Sequence, residues 1–210
     1  RYPSGRYQAA PHRPGEGTRM KVIVLGLGNI LLRDEGVGVR VVEALAARYI
    51  LPADVEVVDG GTAGMELLNT LAGCDHLLIC DAVQTDAPPA TVIELVNAEV
   101  PAFFQTTRFS PHQLGLADVL ATLTLTDEAP RTVTLVGVVP LDLELGIDLS
   151  PEVAAVVDRV VDSLVAEMRG LGLTLKLQSP VLSSLSPTPL LHEKHSGCPA
   201  ACGGGNERSG

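Results

Sequence analysis

Three acidic side chains and one histidine stand where a metal ion or a hydrolytic reaction could use them. Glu35 follows the first predicted strand, Asp59 ends the second, and Asp81 ends the third. His112 comes second in a later predicted helix, where the positive end of the helix dipole favours the neutral imidazole that a metal needs. Two carboxylates and an imidazole suit a borderline divalent ion such as nickel, zinc or manganese, and they leave coordination positions open.

These side chains meet only if the three strands are neighbours in one sheet. In open α/β sheets, ligands bind beyond the carboxyl ends of the strands, so the three acids would share one edge. Like charges at short range repel, and such a cluster therefore favours a bound cation or a shared proton. Taken singly, an acid at a strand end more often caps a helix or lies in solvent. A lone histidine at a helix start is more often a surface residue.

Continuous apolar runs predict the strands that position these residues. A strand covered on both faces has an unbroken apolar run, and Val22–Leu25 is of this kind. Gly26, Gly28 and Asn29 allow the sharp turn that follows it. The predicted strands are Val22–Leu25, Asp54–Asp59, Asp75–Asp81, Thr91–Val96 at an edge, and Thr132–Val139. We expect an α/β fold, with a three-layer, mostly parallel, twisted sheet of about five strands and helices on both faces.

Apolar side chains at helical spacing predict helices between the strands. The first helix begins at Gly36, and Pro52 is predicted to stop it. Thr62 is predicted to cap a short second helix, which Gly73 closes. The apolar stripe of the first helix is Val37, Val41, Leu45 and Tyr49.

Two later helices carry stronger start signals. At the first of them, Ser110 is the predicted cap, Pro111 takes the first helical position and Gln113 completes a capping box. At the second, Ser150 and Pro151 begin the last helix of the domain. Its apolar stripe is Val153, Val156, Val157, Val160, Leu164 and Met168.

The composition of the chain excludes several classes of protein. The 210 residues carry a formal net charge of -10, which argues against nucleic-acid or acidic-membrane partners, since both require a basic face. Hydrophobic residues make up 46% of the chain, enough for one α/β domain with a sizeable core. No apolar run is long enough to span a bilayer, and the arginines near the N-terminus precede no signal-peptide core. We therefore expect a cytoplasmic protein.

The composition also divides the chain into three parts. Residues 1–19 are predicted to be a disordered leader or an upstream stretch before a start at Met20, residues 20–173 the folded domain, and residues 174–210 a disordered tail. Cys74 and Cys80 flank an apolar run and are expected to be small buried hydrophobes. The tail has metal-ligand spacing, which leaves a second metal site open as an alternative. Its four candidate residues are His192, His195, Cys198 and Cys202.

Other catalytic patterns are missing from the sequence. It contains no H-E-x-x-H, no G-x-S-x-G, and no cysteine beside a candidate base. Gly26-x-Gly28 also fails as a nucleotide-binding loop, because Leu31 stands where the third glycine is needed and no helix begins there.

Five separated motifs resemble those of the hydrogenase maturation endopeptidases. They follow in order from Met20 to the last helix, and cover neither the leader nor the tail. The motifs are Gly26–Gly38, Asp59–Gly64, Asp81–Ala82, Ser110–Gln113 and Leu135–Pro140. Members of this family remove a short C-terminal extension from the large subunit of [NiFe]-hydrogenases after nickel insertion. The resemblance therefore implies a peptide hydrolase.

The resemblance also assigns roles to individual residues. Matched motif by motif, the family's metal-contacting residues fall on Glu35, Asp81 and His112, the set that the residue types suggest independently. Asp59 then lies near the site and is our candidate general base, and Asp34 is expected to have a structural role. The nickel ion would come with the substrate, bound by its cysteine thiolates, although other divalent metals could occupy the site. No residue is an obvious covalent nucleophile, so attack by water is expected.

The expected partner is a nickel-loaded [NiFe]-hydrogenase large-subunit precursor, and the protease itself is expected to be a monomer. Only a loaded precursor would complete the ligand shell, so the metal would act as a check on the substrate. Leu31–Arg33 and Asp86–Ala90, in loops at the predicted sheet edge, are expected to help recognise it. Two other hypotheses stay open, a non-catalytic nickel-checking or chaperone module and a nucleotide-binding domain.

Overall fold

A five-stranded sheet forms the centre of the computed structural model, which describes residues 19–106 and 111–178. The strands are β1 (Val22–Leu27), β2 (Tyr49–Ile50), β3 (Val55–Gly61), β4 (His76–Ala82), β5 (Val92–Val96), β6 (Thr132–Val138) and β7 (Lys176–Leu177). The sheet has the order β3-β1-β4-β6-β5, with the first four strands parallel and β5 antiparallel. β2 and β7 pair separately. The predicted sheet is confirmed, with its predicted edge strand as β5.

Helices cover both faces of this sheet. They are α1 (Val37–Arg48), α2 (Leu68–Leu71), α3 (Glu99–Thr106), α4 (Pro111–Leu125), α5 (Pro151–Ala154) and α6 (Val157–Gly170). In one apolar cluster, Leu45 of α1 and Leu164 of α6 join Val24 of β1. In the other cluster, Phe104 of α3 joins Leu25 of β1. Successive residues of β1 thus face opposite layers, which is why the whole strand is apolar.

The end of α1 differs from the prediction. The helix stops at Arg48, and Tyr49, the last residue of the predicted stripe, lies in β2. Tyr49 and Ile50 pair with residues of β7, so the chain leaves the helix in order to form this two-stranded ladder. Pro52 comes too late to be the cause, and that part of the prediction is wrong.

The cap of the second helical segment is also corrected. A 3₁₀ turn, Met65–Leu67, precedes α2, and Gly64 occupies its cap position instead of Thr62. The backbone N–H of Gly64 donates to the carboxylate of Glu66 at 2.9 Å, so a later acid supplies a hydrogen bond at this turn. Gly73, with φ +67°, does close the segment in the left-handed conformation that a helix end favours.

The last predicted helix is two helices. Ser150 caps α5 as predicted, and its hydroxyl accepts a hydrogen bond from Val153 N at 3.4 Å, but α5 ends at Ala154 before α6 begins. α3 was not predicted; it contains Pro101 in its first turn, where proline is tolerated. No helix within 19–106 or 111–178 has the length and apolar character to cross a bilayer.

The division into leader, domain and tail remains a prediction. β7 lies beyond residue 173, so the described fold continues past the predicted end of the domain. Residues 1–18 and 179–210, with the candidate metal ligands of the tail, lie outside the described residues.

Candidate functional site

The sheet brings the ends of three strands together at one edge. Gly26 of β1 pairs with Asp59 of β3 on one side and with Cys80 of β4 on the other. Neighbouring strands lie about 4.8 Å apart, so Asp59 and the end of β4 are separated by roughly 10 Å. Asp81 follows Cys80 in β4. The condition for the predicted convergence, that these three strands are neighbours, is therefore met.

Gly28 allows the segment that carries Glu35 to fold back onto the end of β1. Its φ is +124°, and a Cβ at this position would lie 1.7 Å from the carbonyl oxygen of Glu35. Glu35 itself is half-buried in the 3₁₀ turn Arg33–Gly36, and its backbone N–H donates to Leu32 O at 3.1 Å. A side chain in place of Gly28 would displace the backbone that holds this carboxylate.

The start of α1 packs equally closely onto the ends of two strands. A Cβ on Gly38 would lie 2.1 Å from the carbonyl oxygen of Cys80 in β4 and 2.4 Å from that of Leu27 in β1. Because Glu35 precedes this contact by three residues and Asp81 follows Cys80, the close approach holds the two acidic segments at the same part of the edge.

Asp81 is buried, and Gln113 of α4 binds it. The side-chain amide nitrogen of Gln113 donates to Asp81 Oδ2 at 2.8 Å and to the carbonyl oxygen of Ala82 at 2.9 Å. Asp81 is 0% exposed and Gln113 is 1% exposed. Gln113 Oε1 has no hydrogen-bond partner in the described parts of the chain. The side chain of Gln113 thus ties the first turn of α4 to the end of β4, and its predicted capping-box role stays a prediction because Ser110 lies outside the described residues.

The hydrogen bond between Gln113 and Asp81 also places the backbone of His112 near the end of β4. His112 is the second residue of α4, next to Gln113, and Pro111 takes the first position as predicted. Its side chain, like the predicted cap Ser110, lies outside the described residues. Among the side chains that are described, no three metal-ligating groups cluster closely enough to hold an ion. The ligand set of Glu35, Asp81 and His112 therefore stays a prediction.

Asp59 is exposed and engaged in a local turn. Its Oδ1 accepts a hydrogen bond from Gly61 N at 2.9 Å, across a turn in which Gly61 has φ +48°. The carboxylate lies at the predicted edge, where this hydrogen bond shapes the end of β3. Its role as a general base also stays a prediction.

Asp34 has the structural role that was expected. This fully buried carboxylate accepts four hydrogen bonds. Its Oδ2 accepts from the backbone N–H groups of Leu141 and Asp142 at 2.9 Å and from the Ser150 hydroxyl at 2.8 Å, and its Oδ1 accepts from Ser150 N at 2.7 Å. It thereby fixes the connection between β6 and α5 beside the Glu35 segment.

Sequence reasoning missed this connection and its contacts. Residues 141–148 alternate leucine or isoleucine with acids or glycine, a pattern that resembles a strand, yet within the described residues they form one isolated bridge, between Leu32 and Gly146, instead of a strand. Arg33 joins Asp142 in an ion pair at 3.1 Å. The alternating pattern was the signal available in the sequence, but no local pattern indicates that residues 141–148 contact the segment 31–34.

The buried cysteines are not suited to act as nucleophiles. Cys74 and Cys80 are free and buried, as predicted. Burial raises the pKa of Cys74 to about 12 and also raises the pKa of Cys80, where the neighbouring Asp81 charge acts in the same direction. Only a thiolate attacks efficiently, so both thiols are inert at neutral pH.

Comparisons with known proteins agree with this architecture. The family model "Hydrogenase maturation protease" matches residues 39–167. The hydrogenase 2 maturation protease of Escherichia coli (strain K12) is 53% identical over 154 residues, which cover 73% of this chain and 93% of that protein. HupD of Rhodobacter capsulatus, a hydrogenase expression/formation protein, is 38% identical over 83% of this chain and 84% of its own length.

Solved structures show the same likeness. The hydrogenase maturating endopeptidase HybD from E. coli superposes with a TM-score of 0.74 at 52% identity, over 76% of this chain and 98% of that one. The [NiFe]-hydrogenase maturation protease HybD from Thermococcus kodakarensis superposes with a TM-score of 0.60 at 29% identity, over 70% of this chain and 99% of that one.

Proposed function

The chain belongs to the hydrogenase maturation protease family, and we propose that it removes the C-terminal extension of a nickel-loaded [NiFe]-hydrogenase large-subunit precursor. The observation that carries the proposal is the shared edge, where the Glu35 segment, the buried Asp81 and the first turn of α4 meet. A protease needs its functional groups at one place, and the meeting of three distant parts of the sequence at this edge supports the proposal.

In this proposal, Glu35, Asp81 and His112 contact a nickel ion that the precursor carries. The arrangement of Asp81 supports such a role, because Gln113 holds one oxygen of its carboxylate and so limits its orientation. Residues that orient a metal ligand in this way commonly change metal affinity or activity by about 10- to 100-fold when they are removed. The donor set of two carboxylates and an imidazole fits a borderline divalent ion.

The reaction itself is hydrolysis of one peptide bond. Water attacks the scissile carbonyl carbon, the C–N bond breaks, and the proton taken from water returns to the leaving amine. A nickel ion held by the precursor's thiolates would polarise that carbonyl or activate the water. Asp59 is our candidate for the base, since it is exposed at the same edge of the sheet. The inert thiols of Cys74 and Cys80 support attack by water over a cysteine mechanism.

The metal also supplies specificity in this proposal. A precursor without nickel offers no ion for the carboxylates to bind, so two buried or half-buried acids would remain without the cation that they favour. Discrimination then comes from the penalty on the wrong partner as well as from contacts to the right one.

The test is processing of nickel-loaded precursor, followed by mass spectrometry. Glu35→Gln, Asp81→Asn and His112→Gln should each slow processing at least about 100-fold, the usual range for a lost catalytic group. Glu94→Gln and Asp118→Asn are matched controls, because both acids are exposed, on β5 and along α4, and both should process normally.

Three results would contradict the proposal in different ways. Full activity in all three site variants would remove the proposed ligand set. Equal processing of nickel-free precursor would refute the role of nickel. A wild-type protein that binds loaded precursor but leaves its mass unchanged would favour the non-catalytic nickel-checking module.

A further inference from the structure

An exposed apolar surface adjoins the segment that carries Glu35. Its side chains are between 38% and 82% exposed. Single exposed leucines are ordinary, whereas a contiguous apolar patch marks an interaction site. We call this set the apolar rim, and it consists of Ile30, Leu31, Leu141, Leu143, Leu145 and Ile147.

Backbone hydrogen bonds hold the two segments of the apolar rim, residues 30–31 and residues 141–147, next to each other. Gly146 N donates to Leu31 O at 2.9 Å, and Arg33 N donates to Gly146 O at 3.0 Å. Asp34 N donates to Asp142 O at 3.1 Å. The buried Asp34 carboxylate also binds the connection between β6 and α5 through its four hydrogen bonds. The apolar side chains are thus presented to solvent by a fixed scaffold.

We propose that the apolar rim is the docking surface for the large-subunit precursor, an inference that rests on the proposed function. Leu31 and Glu35 are four residues apart, at most about 14 Å even in an extended chain. A specific protein interface covers about 800 Å² on each partner, a patch of roughly 16 Å radius. An interface centred on Glu35 therefore reaches the apolar rim.

Charge favours a different protein over a second copy of this chain as the occupant. Glu144, between two leucines of the rim, and Asp148, next to Ile147, are exposed, so two copies would set acid against acid. The net charge of -10 adds to that repulsion. A partner segment with apolar and basic side chains fits instead. A depression of about 560 Å³ includes two leucines of the rim, and its three acids, Asp142, Glu144 and Glu152, outnumber its one basic side chain, Arg33.

The experiment compares two double variants with matched exposure. L145S/I147S changes rim positions that are 82% and 62% exposed, and L125S/I50S changes apolar positions of 86% and 56% exposure at the end of α4 and in β2. With nickel-loaded precursor as the probe, L145S/I147S should raise KM at least tenfold and leave kcat within twofold. L125S/I50S should keep both constants within twofold of wild type. Thermal unfolding verifies that both variants are folded.

Several outcomes would overturn the inference. An unchanged KM in L145S/I147S would do so, and so would an equal rise in both variants, which would report a general loss of apolar surface. A wild-type dimer that L145S/I147S converts to monomer, measured by light scattering, would make the rim a contact between copies.

Failure of the proposed function is distinguishable from failure of this inference. If the wild type cuts nothing, direct binding of the same precursor to wild type and to both variants still decides. Selective loss of binding in L145S/I147S supports the docking surface, and equal binding by all three proteins refutes it. Absence of binding to the wild type also refutes it.

Discussion

Replacement of Asp34 by asparagine should destabilise the fold through one defined network. The buried carboxylate accepts three hydrogen bonds at Oδ2 and one at Oδ1. An amide of the same shape has a single acceptor atom. If the asparagine oxygen takes the Oδ2 position, the asparagine NH₂ group takes the Oδ1 position and faces the N–H of Ser150, so that two hydrogen-bond donors oppose each other. In the other orientation three donors oppose the NH₂ group, which is worse.

The expected loss can be worked out from these four bonds. The bond that is lost, from Ser150 N, was made to a charged acceptor and is worth about 1.5–3 kcal/mol. Each of the other three bonds weakens by about 1 kcal/mol when the acceptor becomes neutral. Burial of a neutral amide costs less than burial of a carboxylate, which returns part of the sum. We expect a net decrease of about 2–4 kcal/mol in the free energy of unfolding, a large fraction of the about 5–15 kcal/mol typical of a domain.

Urea denaturation measures this decrease. With an m-value of about 2 kcal/mol/M, the midpoint of Asp34→Asn should fall by roughly 1–2 M. Ser150→Ala removes the hydroxyl bond to the carboxylate, worth about 1.5–3 kcal/mol, and the cap of α5, worth about 1 kcal/mol, and should cost about 2–4 kcal/mol. Asp158→Asn, at an exposed carboxylate paired with Arg48, should stay within about 0.5 kcal/mol of wild type. An Asp34→Asn midpoint equal to that of Asp158→Asn would refute the reasoning.

Three further predictions concern the surroundings of the site. Gly28→Ala should lower the free energy of unfolding by about 1–3 kcal/mol through backbone strain alone, and further through the steric clash. Gly170→Ala is the control, because the space around Gly170 is open, and in the same urea titration it should be neutral or slightly stabilising. Gln113→Leu should slow processing at least about tenfold while the protein stays folded by circular dichroism, because the buried Asp81 carboxylate loses the hydrogen bond that Gln113 donates. Normal processing would show that this bond is dispensable. Cys74 and Cys80, whose pKa values are raised by burial, should resist iodoacetamide at pH 8 until guanidinium unfolds the chain, and peptide mass spectrometry that finds them labelled in the native protein would contradict their burial.

Much of the fold could be predicted because burial on both faces leaves a plain signal. β1 and the centre of β4 are apolar runs, β6 is mainly apolar apart from its two threonines and Gly137, and each strand was located within a few residues. The edge of the sheet where Asp59 and Asp81 lie followed from the rule that parallel strands end together. The same reasoning could not locate β2 and β7, because two residues are too few for any periodicity.

The contacts around the site were less predictable because they join distant segments. Gln113 has the residue type and spacing of a capping box, yet its amide nitrogen donates to Asp81, which is 32 residues away in sequence. Asp34 and Ser150 are 116 residues apart. Local patterns describe hydrogen bonds within a turn or a helix, and they carry no information about which buried acceptor a side chain will meet.

Asp34 and Glu35 are adjacent, so the docking surface and the proposed metal-contacting carboxylate share one short segment. Asp34 fixes the position of the apolar rim, and the turn that contains both acids fixes Glu35. Loss of side chains on the rim should weaken substrate binding only, and therefore raise KM with kcat unchanged. Loss of the hydrogen bonds to Asp34 should displace both the apolar rim and Glu35, because the same short segment holds them. Asp34→Asn should accordingly raise KM and lower kcat, measured well below its melting temperature. A pure KM effect in that variant would show that the turn holds Glu35 without help from Asp34.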